Sequence, residues 1–337
     1  MLKIALVGTG FIGETHLKVW QAMKNAQITA VCTTTPEKGA YIAKKYACRH
    51  YQNLSELLSC EDVDIVDICT PTFLHEQNVM TAASFGKHII CEKPLTLTLE
   101  SMDRIISRVN ETGIYLLTGQ VLRFWTEYVT VKELFDSGAI GKVHGVYAHR
   151  LAQYPPDTSW RHDSGNSGGG LFDLTLHDVD FLLYLFGEVD TLYATGYKSA
   201  SGCWDHVSVL LTFKSGINAT IEGVLGMTNG YPFSTTLRII GEYGTVDYDM
   251  SAGVNIEKLD QSRSSVIFYQ NDHSPKLLEP AASRTDFDAE LHYFAHCVES
   301  HTPPDKVLLS EVRYSLKILL AIQESLETHQ LIHLYKH

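Results

Sequence analysis

The length, composition and charge of the chain exclude several classes of protein. It has 337 residues, 45% of them hydrophobic and 20% charged, which is enough for two globular domains that each bury a core. It carries 27 basic and 39 acidic residues, a net charge of −12, and no block of consecutive basic residues. Nucleic acid and anionic membranes are therefore not expected as partners.

The sequence also predicts a cytoplasmic protein. No apolar run approaches the roughly 20 residues that a membrane helix needs. The first residues, MLKIALVGTG, begin a strand without the basic stretch, apolar core and cleavage site of a signal peptide. The seven cysteines form no C-x-x-C pair and mostly lie in apolar runs, which is typical of buried, reduced thiols.

The first predicted strand, KIALV, leads into a glycine fingerprint. Gly8, Gly10 and Gly13 have the spacing G-x-G-x-x-G directly after this strand and at the start of a helix. In this arrangement the glycines allow a tight turn, close approach of a pyrophosphate and close packing of helix on strand. Because a run of strand and helix units follows, a dinucleotide site is favoured over a structural glycine turn.

The second predicted strand, ITAVC, ends where the ribose of the cofactor's adenosine would be recognised. An acidic residue about 20 residues after the fingerprint commonly binds the ribose hydroxyls. Here the chain has CTTTPEKG, with Thr33 and Thr34 in place of the acid and Lys38 nearby. A 2′-phosphate could be accepted there, although no arginine is present to hold it. The threonines could instead end a strand and cap the next helix through Thr35, so NAD and NADP both stay open, with a slight lean to NADP.

Continuous apolar strands alternate with helices through about residue 120, which predicts a doubly wound parallel sheet. Ligands bind beyond the carboxyl ends of such strands, where CTPTFLH (69–75) and CEKP (91–94) stand. Pro94 biases Lys93 to an extended conformation and would aim its ammonium over the crevice. Such an ammonium could hold a substrate hydroxyl and stabilise negative charge on its oxygen. The alternative is a lysine in a helix-entry turn with its charge in solvent.

A different pattern begins after VLRFW. A helix closed by Gly138 leads to alternating strands such as KVHGVYAHRL and DHVSVLLTFKSG, which predict a large antiparallel sheet. Two further helices, near 286–300 and 309–328, close the chain. We therefore predict a Rossmann domain over 1–121 and an α+β domain over 122–337.

One helix, LFDLTLHDVDFLLYLFG, interrupts this sheet after the loop DSGNSGGG. Asp173 and His177 are four residues apart, so a helix would place them on one face, and Asp180 would continue it. A neutral histidine can act as a general base that the carboxylate orients. The alternative is an amphipathic helix with a surface Asp and His pair. It is less favoured because Gly168, Gly169 and Gly170 would let a ligand approach the backbone closely.

The loop YPPDTSWRHD (154–163) holds candidate substrate contacts. Trp160 and Arg161 could form pocket walls, or the tryptophan could be a packing anchor. Arg123 and His75 are equally open between a ligand contact and a structural role.

Together these motifs resemble the Gfo/Idh/MocA family, named for glucose–fructose oxidoreductase and inositol dehydrogenase. The resemblance rests on GTGFIG, on TPTFLH followed by GKHIICEKPL, and on SGAIGKV, SWR and GGGLFDLTLHDVDFLLYLFG. It covers nearly the whole chain. Its most specific part is the co-occurrence of Glu-Lys-Pro with the glycine-led Asp and His helix.

The resemblance implies an α+β domain whose open sheet often makes subunit contacts, hence a homodimer or homotetramer. It implies catalytic positions at Lys93, Asp173 and His177, no metal, and sugars, cyclitols or their derivatives as substrates. It also implies a set of residues near the cofactor, in the glycine loop and in the loops that carry TPTFLH and EKP: Gly8, Gly10, Phe11, Ile12, Gly13, Thr70, Pro71, His75, Glu92 and Lys93.

Two positions depart from the family pattern. Thr175 stands where members usually have a glycine, which could alter how tightly the helix packs without removing a catalytic group. Thr33 stands where many members carry an acid, so the choice of cofactor stays open.

The main functional hypothesis is an NAD(P)-dependent oxidoreductase acting on a sugar or polyol, in which His177 takes the hydroxyl proton, Lys93 steadies the oxygen and Asp173 orients. A cofactor-bound sensor or regulator is the alternative from another class, and the presence of all three groups counts against it. A third hypothesis is a hydrolase or epimerase in which hydride leaves and returns with no net redox change.

Overall fold

The computed structural model describes residues 1–154, 160–253, 263–279 and 286–335. The chain divides into two compact units. The first holds residues 1–124 and 284–313, and the second holds residues 125–283 and 314–337. The single boundary proposed between residues 121 and 122 stays a prediction.

The helices and strands are numbered in chain order. The strands are β1 (Leu2–Val7), β2 (Ala26–Cys32), β3 (Arg49–Tyr51), β4 (Ile65–Ile68), β5 (His88–Cys91), β6 (Leu116–Thr118), β7 (Val143–Ala152), β8 (Val189–Lys198), β9 (Trp204–Phe213), β10 (Asn218–Leu225), β11 (Ser234–Gly241), β12 (Gly244–Ser251), β13 (Arg263–Gln270), β14 (Lys276–Leu278) and β15 (Ile332–His333). The helices are α1 (Phe11–Ala22), α2 (Pro36–Tyr46), α3 (Leu54–Cys60), α4 (His75–Ser84), α5 (Leu99–Thr112), α6 (Thr126–Asp136), α7 (Ser164–Ser167), α8 (Leu176–Phe186), α9 (Asp286–Ser300) and α10 (Leu309–Thr328).

The first unit contains the predicted doubly wound parallel sheet. Its six strands lie in the order β3-β2-β1-β4-β5-β6, and all neighbours are parallel. The strand order changes direction between β1 and β4, and open sheets of this kind bind ligands beyond the carboxyl ends of the strands at such a point. Residues of β4 are all buried, which explains why its sequence is a continuous apolar run interrupted only by Asp67.

Capping residues set the bounds of α5 in this unit. The side chain of Thr98, the residue before the helix, accepts a hydrogen bond from the backbone N–H of Ser101. At the other end Gly113 has φ of +67°, the left-handed conformation that ends many helices.

The second unit contains a nine-stranded sheet in the order β14-β13-β12-β11-β7-β10-β9-β8-β15. Its neighbours are antiparallel except β7 and β10, which are parallel, so the predicted mostly antiparallel sheet is confirmed. Strands such as β9 alternate buried and more exposed residues, because one face is covered and the other is open. The helix predicted between the strands forms in two parts, a π-helical turn over Leu171–Thr175 and then α8. Within the described ranges, no helix has the length and apolarity to cross a bilayer.

Candidate active site

The turn after β1 leaves room for the phosphate groups of a ligand. Gly8 has φ of +93°, which favours glycine, and a Cβ there would lie 2.6 Å from the carbonyl oxygen of Cys69. A Cβ at Gly13 would collide with the carbonyl oxygen of Gly8, so α1 packs directly on the turn. At Gly10, no atom of the described residues lies within 4 Å of the Cβ position. The three glycines therefore fit a dinucleotide cradle, with open space at the N-terminus of α1. At the start of this helix Phe11 is exposed and Ile12 is half-buried.

The residues proposed to choose between NAD and NADP lie at the end of β2. Thr33 is half-buried, and its backbone N–H donates to the carbonyl oxygen of Tyr51 at 3.1 Å. Thr34 and Lys38 are exposed. Thr35 precedes α2, but its side chain accepts no hydrogen bond from the helix within the described residues, so the predicted cap is not formed by that side chain.

The loops after β1, β4 and β5 lie side by side because backbone hydrogen bonds of the sheet continue into them. The N–H of Cys69 donates to Val7 at 2.8 Å, and the N–H of Glu92 donates to Ile68 at 2.9 Å. Thr70, Pro71 and Lys93 are half-buried, and the Lys93–Pro94 peptide bond is cis. Glu-Lys-Pro and the glycine turn thus share one edge of the first unit's sheet.

His75 ties two of these loops together. Its Nδ1 and Nε2 each lie 2.8 Å from a backbone carbonyl oxygen, of Pro94 and Thr70 respectively. Burial lowers the pKa of His75 below its usual value, so the ring is neutral at pH 7 and donates to one of the two carbonyls. Both ring nitrogens are engaged with backbone, which gives His75 a structural role beside any cofactor contact.

Arg123, proposed as a substrate contact, is held inside the first unit. Its guanidinium donates to the carbonyl oxygen of Lys306 at 2.9 Å and pairs with the carboxylate of Glu311. Only 4% of the residue is exposed. The arginine anchors the segment before α10 within the first unit, which favours the structural role over a ligand contact.

Asp173 and His177 are the two half-buried side chains between residues 171 and 180, and the other eight are buried. The π-helical turn over Leu171–Thr175 carries the aspartate, and the first turn of α8 carries the histidine. Asp180, predicted on the same face, is buried instead and accepts a hydrogen bond from Ser315 of α10 at 3.0 Å. The helix therefore presents one carboxylate and one imidazole at its surface.

Arg161 and Trp160 lie beside the aspartate. Nε of Arg161 is 3.4 Å from Oδ2 of Asp173, an ion pair that is only partly exposed. The guanidinium carbon of Arg161 lies 5.0 Å from the centroid of the Trp160 ring, a cation–π distance. The second unit thus brings three of the predicted residues together. Residues 155–159 of the predicted loop lie outside the described residues.

A buried carboxylate that sequence reasoning missed holds the glycine loop. Asp205 of β9 accepts a hydrogen bond from the N–H of Gly170 through Oδ1 at 2.8 Å, and Oδ2 accepts from the hydroxyl of Tyr154. Burial and this carboxylate raise the pKa of Tyr154 to about 12, so its hydroxyl stays a donor. No local pattern marks Asp205, since its partner lies 35 residues away along the chain.

A second missed group fastens α8 to the sheet. Arg150 of β7 is bidentate to Asp178, the residue after His177, at 2.9 and 3.0 Å, and also donates to the hydroxyl of Tyr128. Arg150 and Asp178 are both buried, and such a pair is costly to break. An arginine at an inward position of the alternating strand KVHGVYAHRL was the signal that could have found it.

Thr175, the departure from the family glycine, is fully buried. A Cβ at Gly223 of β10 would collide with its Oγ1 and lie 3.1 Å from its Cβ. The space for the threonine is therefore supplied by a glycine on the neighbouring strand.

Comparisons with known proteins agree with this fold. The model described as "Oxidoreductase family, NAD-binding Rossmann fold" matches residues 2–120, and the GFO/IDH/MocA C-terminal domain matches residues 128–247. Myo-inositol 2-dehydrogenase of Thermotoga maritima is 27% identical over 97% of this chain and 96% of its own length. A 2,7-anhydro-N-acetylneuraminate hydratase of Escherichia coli is 30% identical over 74% of this chain and 68% of its own length.

Solved structures extend the likeness of fold to the whole chain. A levoglucosan dehydrogenase in complex with NADH and L-sorbose superposes with a TM-score of 0.86 at 21% identity, covering 100% of this chain and 99% of that one. Since both family models match and together span most of the chain, the protein belongs to the Gfo/Idh/MocA family of oxidoreductases, with an NAD-binding Rossmann fold in its first unit.

Proposed function

We propose that this oxidoreductase is a dehydrogenase that transfers hydride between a nicotinamide cofactor and a secondary alcohol or ketone of a sugar, cyclitol or related polyol. The observation that carries the proposal is the pairing of Asp173 with Arg161 beside His177 on a helix led by three glycines. Lys93 at the end of β5 supplies the fourth polar group. The inositol dehydrogenase among the relatives supports the substrate class.

The proposed chemistry assigns one task to each side chain. His177 takes the proton of the substrate hydroxyl as general base, and returns it in the reverse direction. The Lys93 ammonium donates a hydrogen bond to the substrate oxygen and stabilises its growing negative charge. Asp173, with its charge balanced by Arg161, orients the imidazole. A bound nicotinamide cofactor supplies the hydride acceptor.

The test is formation of reduced nicotinamide, followed by absorbance, on a panel of cyclitols and sugars. His177→Asn should lower kcat by about 10²- to 10⁴-fold, the usual contribution of a general base. Lys93→Ala should lower it by roughly 10²- to 10³-fold, as for loss of a hydrogen-bond donor to developing charge. Exposed residues of the same types provide matched controls, since His296→Asn and Lys24→Ala should leave turnover unchanged. Full turnover of either active-site variant on a confirmed substrate would remove the assigned role.

A binding titration with both reduced cofactors decides the finer choice of cofactor, where we lean to NADP. Thr33 and Thr34 at the end of β2 offer hydroxyls to a 2′-phosphate without a repelling carboxylate, and the exposed Lys38 offers a charge. Tighter binding of NADPH than of NADH supports this lean. Equal retention of both reduced cofactors in a titration would remove it.

A second candidate is favoured by the relative named as a hydratase. This candidate is the hydrolase or epimerase in which hydride leaves and returns, since a hydratase, like these enzymes, catalyses a reaction with no net redox change. Substrate would then be consumed, as seen by chromatography, while reduced cofactor does not accumulate. Clear cofactor binding with no consumption of any substrate would instead favour a sensor.

We further propose that the open face of the nine-stranded sheet joins two copies of the chain. The strand register aligns Tyr193, Leu210, Thr220 and Tyr147 in a row across this face. Three of them are large and apolar, with exposures of 38% for Tyr193, 50% for Leu210 and 53% for Tyr147. Contiguous exposed apolar residues often mark protein–protein interfaces.

Light scattering after size exclusion tests the homo-oligomer. The unmodified protein should have a multiple of the 37.7 kDa mass of one chain. Leu210→Glu should dissociate it, while Leu308→Glu, at an exposed leucine of the first unit outside this sheet, should not. A monomeric unmodified protein would refute the interface.

All seven cysteines are free thiols, which supports a reducing, cytoplasmic setting for the protein.

A further inference from the structure

A buried polar cluster lies beneath the Glu-Lys-Pro turn in the first unit. We define the His16 cluster as His16, Asp67, Cys69 and Glu92. Nδ1 of His16 lies 3.0 and 3.1 Å from the two carboxylate oxygens of Asp67, and its Nε2 lies 3.5 Å from Oε1 of Glu92. His16 and Asp67 are each 1% exposed. One imidazole therefore bridges two carboxylates away from water.

The charge of the imidazole follows from its neighbours. Burial by itself would lower the pKa of His16, but the Asp67 carboxylate against Nδ1 outweighs burial and raises it well above the usual value. The ring is an imidazolium at neutral pH, with both N–H groups available as donors. The ring of Phe287 from α9 covers it at a centroid distance of 5.4 Å.

Three ligand types in the cluster, His16, Asp67 and Cys69, could also hold a metal, since their donor atoms lie within 4.8 Å of one another. The hydrogen bonds favour protons instead. The indole N–H of Trp20 donates to Asp67 at 2.7 Å, and the thiol of Cys69 lies 3.3 Å from the same carboxylate as a donor. Burial raises the pKa of the Cys69 thiol far above its usual value, so it keeps its proton.

Glu92 connects the cluster to Lys93. Its Oε2 accepts a hydrogen bond from the backbone N–H of Lys93 at 3.2 Å, while its Oε1 faces the imidazolium. On the other side, a Cβ at Gly119 would lie only 3.0 Å from Oε1, so the carboxylate is confined between α1 and the end of β6. The orientation of Glu92 therefore sets the backbone from which the Lys93 side chain begins.

We propose that His16 is a positioning residue for Lys93, acting through Glu92, a role that rests on the proposed dehydrogenase function. Without the imidazolium, Glu92 has no charged partner in the cluster and turns towards water, which releases the N–H of Lys93. The Lys93 ammonium then loses its fixed orientation. A displacement of about 1 Å in a catalytic group can cost roughly 10²-fold in rate, so we expect a kcat effect of 10- to 100-fold.

The test compares His16→Ala, His16→Gln, Glu92→Gln and the double variant His16→Ala/Glu92→Gln. We expect kcat to fall about 10- to 100-fold in His16→Ala with a much smaller change in KM, since the loss is in alignment. His16→Gln should recover part of the rate, because its amide N–H can donate to Glu92 from the same position. The double variant should be no slower than the slower single variant, because both changes break one connection.

A readout independent of turnover is hydrogen exchange of the Lys93 amide in a peptide spanning residues 89–97. It should become faster in His16→Ala. Leu17→Ala, a fully buried neighbour on the same helix, is the control for lost stability alone. It should lower Tm without changing kcat or selectively exposing the Lys93 amide.

The outcomes separate the two proposals. If Lys93→Ala keeps full turnover, the proposed dehydrogenase role of Lys93 is wrong. If Lys93→Ala is impaired while folded His16→Ala keeps the kcat and amide protection of the unmodified protein, the positioning role is wrong. If His16→Ala does not fold, Glu92→Gln decides, since it breaks the same connection without leaving a buried carboxylate at residue 92. Unchanged kcat and amide exchange in that variant overturn the inference.

Discussion

Two glycine loops lead into the two functional helices of this protein, and they are held in different ways. The loop at Gly8, Gly10 and Gly13 is fixed by backbone, since Cβ atoms at Gly8 and Gly13 would meet carbonyl oxygens. The loop ending at Gly170 is fixed by side chains. Asp205 binds its backbone N–H, and a Cβ at Gly169 would lie 2.5 Å from the Cβ of Cys203.

The difference follows from what each loop has to do. A pyrophosphate is the same in every dinucleotide, so a cradle of backbone N–H groups and missing side chains suits it, and the glycines appear at fixed spacing. In the proposed function the second loop orients Asp173 and His177 towards the substrate, and the names of the relatives cover different substrates. Asp205 binds this loop and Gly223 packs on the helical turn after it. Both residues lie on neighbouring strands, so their identities can change together with the helix that they contact.

The largest effect is expected from Gly13→Ala, a substitution in the backbone-held loop. Gly13→Ala puts a methyl group against the carbonyl oxygen of Gly8, and we expect a cost near the upper end for overpacking, about 3 kcal/mol. Relief requires the turn to move, so the cost should appear as roughly 100-fold weaker cofactor binding. Fluorescence titration with reduced cofactor measures it.

The control for this prediction is Gly113→Ala at the end of α5. Unlike Gly13, that glycine has a positive φ, of +67°, and no atom of the described residues lies within 4 Å of its Cβ position. The variant should lose about 1 kcal/mol of stability and keep its cofactor affinity. Equal affinity of Gly13→Ala and the unmodified protein would show that the turn tolerates movement, contrary to the comparison of the two loops.

The contrast between local backbone contacts and distant side-chain contacts also explains which features could be predicted from the sequence. The glycine fingerprint, the buried parallel strands and the closing helices α9 and α10 were predictable because each depends on residues close together in the chain. Strand β8 was not singled out, since its outer half is mostly exposed and alternates weakly. The π-helical turn at Leu171–Thr175 has no periodic signature, and the helix was predicted as one piece.

The candidate site likewise combines residues that short motifs predict with residues that are distant in sequence. Lys93, Asp173 and His177 were found from motifs, and their catalytic roles stay predictions. The groups that support them are buried and distant in sequence. Asp205 sits on β9, Arg150 on β7, and His16 looked like an ordinary helical residue until β4 and β5 were placed beside α1. A single sequence contains no record of such pairings.

A smaller effect is expected from substitutions at Thr175 and Gly223, where the π-helical turn after the side-chain-held loop packs on β10. Gly223→Ala places a methyl group against Thr175 Oγ1, and we expect a loss of about 1 to 3 kcal/mol in the free energy of unfolding. Thr175→Gly should also destabilise, by about 1 kcal/mol, because glycine is a poor helix former. Thermal or urea unfolding of both variants gives these values.

The double variant Gly223→Ala/Thr175→Gly decides whether the two residues are partners. If the glycine of β10 exists to make room for the threonine, removing the threonine removes the clash, and the double variant should be more stable than the sum of the single losses predicts. The coupling should be about 1 to 2 kcal/mol, as found for residues in contact. Strict additivity would mean that β10 and the π-helical turn adjust independently, and that Thr175 in place of the family glycine needs no compensation from Gly223. A coupling of the expected size would instead make Thr175 and Gly223 a unit, in which the glycine of β10 supplies the space that the threonine of the π-helical turn occupies.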